Sequence, residues 1–201
     1  MKKISLLDLR PTQFVLGMKE IEAKISKMKK MKAKEMASYR KEHVIPVILG
    51  PKQETYLIDH HHYLRACWEL GIEEYDLKKV KDLSHLKEQE FWNLMIKNNW
   101  CYLNDQFGMG PHLPSMLPTD IRCLADDPYR SLAWALRELG FINKQNTPFF
   151  EFQWAAYLRQ NLTIHLKSKS DFKDAVAEGK KLVRSKQAGH LPGYAFNIDE
   201  K

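Results

Sequence analysis

The sequence predicts an α+β fold, a small mixed sheet core over residues 1–85 followed by a helical part over residues 86–201. Two observations carry this. Short β-branched and apolar runs, broken by glycine and proline, crowd the first 85 residues. Beyond them, apolar residues recur at three- and four-residue spacing, the period of a helix with one buried face.

The elements follow in order. Residues 4–9 read as a short strand, punctuated by Pro11-Thr12-Gln13, because proline fixes its own φ and restricts its neighbour. From Met18 to Glu42 the chain reads as one bent helix or two, with Met18, Ile21, Ile25 and Met28 making a stripe among lysines. Val44–Leu49 and Thr55–Asp59 form strands of a hairpin across the Gly50-Pro51 turn, since β-branched runs bounded by turn residues favour pairing. His60–Leu70 reads as a helix stopped by Gly71, and Tyr75–Val80 as a further strand. A helix with Ser84 at its cap runs to Asn99, and residues 101–118, rich in proline and glycine, form a long loop. Helices are then expected over 118–139, with a break near Asp126-Asp127-Pro128, over 148–162 and over 170–186, before an extended tail at 189–194.

Charge is unevenly spread. The chain of 201 residues carries a net charge of +7, and residues 1–50 hold 12 Lys/Arg against 5 Asp/Glu. The basic helix at 18–42 therefore suits a polyanion such as DNA, whose counterions it would release, or serves as a solvated face. Three cysteines, Cys67, Cys101 and Cys123, without a CxxC pattern, read as reduced thiols of a cytoplasmic protein. No apolar run approaches the roughly 18 residues of a membrane span, and an acid at Asp8 interrupts any signal-peptide core.

The segment Tyr56-Leu57-Ile58-Asp59-His60-His61-His62-Tyr63-Leu64-Arg65-Ala66 carries the chemistry. A strand delivers an acid and three histidines to a helix start, where free N–H groups and the helix dipole attract anions. Histidines add donors and acid–base groups, and Arg65 adds a charge suited to phosphate. Asp59 can alternatively be a simple cap. Asp-His-His is also similar to the motif of the DHH phosphoesterases. The chain has no earlier Asp-x-Asp element and no second carboxylate cluster, so no strong protein metal site is expected.

These residues resemble the ParB/sulfiredoxin superfamily, and within it the branch of ParB-like nucleases. Pro11-Thr12-Gln13 is similar to the Pro-x-Gln element after the first strand, and Ile45-Pro46-Val47 to the central strand. Asp59, Arg65, Ala66, Leu70 and Gly71 match the later strand–helix motif, while His60, His61, His62 and Tyr63 replace a glycine, a glutamate and two arginines. Those two arginines hold triphosphate in ParB. Asp126–Ser131 and Pro148–Phe152 look like the helical continuation of the nuclease branch. The resemblance implies a phosphate-handling cleft, with ATP, ADP or CTP and Mg²⁺ as candidate cofactors. In it His61 or His62 serves as acid–base group or phosphate donor, while His60 and Arg65 bind phosphate. Asp59 orients a histidine or holds a cation, Gln13 lines the opposite wall, and Glu20 is a catalytic carboxylate or a surface charge.

The function expected first is an NTPase or phosphotransferase acting on a nucleotide or phosphate ester. The alternatives are a nuclease or phosphodiesterase acting on DNA, gripped by the basic helix, and a non-catalytic DNA-binding module. Away from this site, Asp126 is expected to cap a helix, and Trp92, Trp100, Trp134 and Trp154 to be core. Arg130, Arg137 and Arg159 either pair with acids or extend the cleft, and Phe107–His112 is a candidate lid that carries His112.

Overall fold

A computed structural model describes residues 4–165 and 168–195. The chain forms two compact units, one from residues up to Leu16 and Ile21–Asp126, the other from Gly17–Glu20 and Asp127 onward.

The first unit is built on a mixed sheet of order β1-β4-β3-β5, from β1 (Leu9–Pro11), β3 (Ile45–Leu49), β4 (Thr55–Leu57) and β5 (Leu77–Asp82). The β3–β4 hairpin is antiparallel, with Val47 opposite Leu57, as the turn residues require. β1 runs parallel to β4, and β5 parallel to β3. β5 is an edge strand whose lysines, Lys78, Lys79 and Lys81, are exposed, an arrangement that discourages further strand addition. A second, two-stranded parallel pair joins β2 (Val15–Leu16) to β6 (Ala125–Asp126). Strands of two residues carry too little alternation to stand out in a sequence.

The basic stretch folds as α1 (Met18–Met28) and α2 (Ala33–Glu42). The Glu35 carboxylate accepts the Lys32 backbone N–H at 2.7 Å and starts the second helix. α3 (His61–Glu69) follows β4 and ends where Gly71 takes φ +64°, a left-handed conformation that costs glycine little. α4 (Glu88–Lys97) begins later than expected. Ser84 does not cap it, because Asp82 Oδ1 accepts both the Ser84 N–H and hydroxyl. Phe91, Trp92 and Met95 of α4 share one core with Ile48 and Tyr56 of the sheet. The sheet core therefore does not end near residue 85, and the border between units falls at Asp126/Asp127.

The second unit packs α5 (Pro128–Glu138), α6 (Phe150–Asn161) and α7 (Lys169–Val183) around Leu132, Leu136, Trp154, Leu158 and Val183. The helix expected over 118–139 is instead a 3-10 turn at Ile121–Cys123, then β6, then α5. Pro128 accounts for the break, since it has no N–H and bars its predecessor from the helical region. The cap is Asp127, not Asp126: its carboxylate accepts the Tyr129 N–H at 2.9 Å. Gly17 belongs to this unit because a Cβ there would lie 3.0 Å from the Ser131 backbone nitrogen. In the tail, a 3-10 turn at Lys186–His190 precedes a bridge between Ile142 and Tyr194.

Candidate functional site

The end of β1 and the start of α3 meet through Thr12. Thr12 Oγ1 donates to the Leu57 carbonyl at 2.7 Å, and its N–H donates to His61 Nε2 at 3.3 Å. A nitrogen that accepts carries no proton, so the His61 ring is the neutral tautomer protonated on Nδ1. His61 is buried, and burial pushes its pKa down to about 3, with His62 and His60 adding to the shift. His61 thus ties the helix start to β1. It is a poor proton donor at neutral pH, unlike the acid–base role its sequence position suggested. His62 is buried as well, at 9% exposure.

Gln13 is buried beside Thr12, where its side-chain amide donates to the Val15 carbonyl at 2.6 Å and its backbone bridges Tyr102. Arg65 is directed along its own helix. It pairs with Glu69 at 2.9 Å and reaches the carbonyls of Ile121 and Arg122 at 3.4 Å. Asp59 is exposed, and its Oδ1 accepts the His60 N–H at 2.6 Å.

His60 occupies the N-cap of α3 with φ +63° and ψ +22°. Non-glycine residues enter this region at a cost of about 1–2 kcal/mol. Its own side chain makes no capping hydrogen bond, and the carboxylate nearest this end of the helix is that of Asp59, on the His60 N–H. The ring lies 5.5 Å from that of His43 and 6.3 Å from that of Tyr63. His43 in turn stacks on Tyr39 at 3.9 Å, and its Nδ1–H donates to the Tyr39 carbonyl at 2.8 Å. Burial lowers the pKa of both histidines. The Lys24 ammonium of α1 lowers both further, while Asp59 opposes the shift at His60. Lys27 of α1 lies over the Tyr39 ring at 5.0 Å. Basic helix and histidine-rich junction therefore share one surface.

Glu20 does not join this group. It is buried in the second unit, paired with Arg130 at 3.1 Å. Arg130 also pairs with Glu151, which Arg137 contacts, and Arg159 pairs with Asp127 at 2.6 Å. Arg130, Arg137 and Arg159 thus serve these acids. The loop beyond residue 101 is stitched in place: Asp105 accepts N–H groups from Phe107 and Met109 at 2.9 Å, and His112 Nε2–H at 2.9 Å. The His112 ring packs edge-on against Phe14. Cys67 and Cys101 are buried free thiols, each pushed up to about 11 by burial, and Cys123 is a free exposed one.

Sequence reasoning passed over Thr12, His43, Tyr39 and Lys24 as site residues. Thr12 lay inside the Pro-x-Gln element, and the basic run that holds Lys24 was visible as charge. His43 stood one residue past the helix with no local partner, so only the fold brings it to His60. Among the described residues, no group of three or more His, Cys, Asp or Glu side chains could hold a metal ion. Nor is any described helix long and apolar enough to cross a membrane.

Residues 2–160 match the family described as "Putative ParB-like nuclease". The crystal structure of protein Atu1540 from Agrobacterium tumefaciens is similar throughout, with 40% identity, 96% of each chain covered and a TM-score of 0.85. No curated protein is significantly similar to the chain. The chain belongs to the ParB-like nuclease family.

Proposed function

For a member of the ParB-like nuclease family with this surface, we propose a phosphodiesterase that acts on DNA at the start of α3. The observation that carries this is geometric. Lys27 of the basic helix lies over the Tyr39 ring at 5.0 Å, Tyr39 lies against His43 at 3.9 Å, and His43 lies 5.5 Å from His60. A DNA backbone laid on α1 and α2 would thus present a phosphate to the α3 N-terminus. Lys24 and Lys27 position the strand, since phosphate contacts fix register rather than sequence. The positive end of the α3 dipole draws the phosphate oxygens, and His60 and His43 lie beside it. His61 holds the helix start against Thr12. A bound phosphate could recruit Arg65 only at the expense of its bond to Glu69, so Arg65 is a positioning residue for α3.

The test is a filter-binding and cleavage assay on short single- and double-stranded DNA, with and without Mg²⁺ or Mn²⁺. Binding that weakens steeply with salt, together with cleavage lost in His60→Ala, is the expected result. Cleavage unchanged in His60→Ala would move the site elsewhere. A protein that neither binds nor cleaves DNA, yet hydrolyses ATP or CTP, would return the reading to an NTPase.

A further inference from the structure

We infer that His43 and His60 form an acid–base pair for phosphoester hydrolysis, with His43 Nε2 as the proton acceptor. This rests on the phosphodiesterase reading and names residues that would move its protons.

The geometry comes first. His43 gives its Nδ1–H to the Tyr39 carbonyl at 2.8 Å. That bond fixes the tautomer, so the lone pair sits on Nε2. Tyr39 stacks on one side at 3.9 Å and Tyr63 lies at 5.0 Å, so the ring is held in one orientation. Among the described residues, neither His43 Nε2 nor the ring nitrogens of His60 find a hydrogen-bond partner. Mere packing does not call for this arrangement. The Tyr39 carbonyl fixes the His43 tautomer and leaves Nε2, which is not a buried atom, open to solvent or substrate. A histidine at φ +63° also pays for a conformation that glycine would adopt freely. Non-glycine residues held in this region cluster at functional sites.

The electrostatics agree. Lys24 from α1, Tyr39 and Glu42 from α2, and Asp59 and Tyr63 around the start of α3 face the two rings. Burial and Lys24 lower both pKa values, and the His60 imidazolium disfavours protonation of His43. With ring centroids 5.5 Å apart, the pair takes up one proton more readily than two. A singly protonated pair offers one base and one acid. In the step, water oxygen attacks phosphorus and the water proton passes to His43 Nε2. The P–O bond to the leaving group breaks, and its oxygen takes the proton of the His60 imidazolium. The products are a phosphomonoester and an alcohol. Proton exchange with solvent then restores the pair.

The experiment measures hydrolysis of bis(4-nitrophenyl) phosphate and of a DNA oligonucleotide by wild type, His43→Gln, His43→Ala and His60→Gly, with folding checked by circular dichroism. The expected kcat loss in the His43 variants is on the order of 10²–10⁴, with KM little changed. Imidazole added to His43→Ala restores part of the rate, which a structural role would not allow, and the acid limb of the pH profile disappears. A folded His43→Gln that retains the wild-type rate overturns the pair and leaves the phosphodiesterase reading standing. Wild type that hydrolyses neither substrate overturns both.

Discussion

Replacing His61 by glutamine isolates one buried proton. In an unfolded chain histidine titrates near 6.5. In the fold the His61 pKa is pushed down to about 3 by burial, with His62 and His60 adding to the shift, and Nε2 accepts the Thr12 N–H. The folded pKa is depressed, so the unfolded state binds more protons below the unfolded value. The stabilisation is full above pH 6.5 and is lost as pH falls toward 3. Between pH 7 and pH 5, His61 alone should remove about 2 kcal/mol of stability. At a slope of about 2 kcal/mol per molar urea, the midpoint should fall by about 1 M. Glutamine can accept the same N–H through its amide oxygen but does not titrate. The assay is urea unfolding at both pH values, read by hydrogen exchange in β4 and α3. His61→Gln should lose about 2 kcal/mol less than wild type over this range. His43 and His60 titrate in the same direction but are present in both proteins, so the difference belongs to His61. Equal losses in the two proteins would refute the assignment of His61 as a neutral, buried acceptor.

Other outcomes follow from the same geometry. His60→Gly should leave stability within about 0.5 kcal/mol of wild type, because relief of the left-handed strain offsets the added freedom of the unfolded chain. His60→Val should cost more than about 1 kcal/mol by thermal denaturation, since β-branched residues avoid that region. Arg130→Met should destabilise the second unit by about 3 kcal/mol or more, as Glu20 and Glu151 lose a buried shared cation. Hydrogen exchange in α5 would report it, and unchanged protection would show the pair to be dispensable. Lys24→Gln with Lys27→Gln should flatten the salt dependence of DNA binding by about one to two counterions. A slope equal to wild type would remove α1 from the interface.

The sequence by itself determined the elements whose cause is local. Gly50-Pro51 between two β-branched runs was enough for the β3–β4 hairpin, and Gly71 for the end of α3. A strand leading into Asp59–Arg65 was enough to locate the start of α3, and the Pro-x-Gln and strand–helix motifs carried the family. Those signals lie within a few residues of what they control. Burial and long-range partners were decided only by the tertiary structure. Sequence offers His60, His61 and His62 as near equals. The fold makes His61 a buried acceptor for Thr12, 49 residues earlier, and sets His60 against His43. Glu20 looked like a surface charge or a catalytic one, but its partner Arg130 lies 110 residues away, and a carboxylate in a buried position is held by its countercharge. The border between units moved from 85 to 126 for the same reason, since Phe91, Trp92 and Met95 share a core with Ile48 and Tyr56, more than thirty residues before them. Charge, desolvation and hydrogen-bond satisfaction depend on what surrounds an atom in space, and the chain order of residues does not encode that directly.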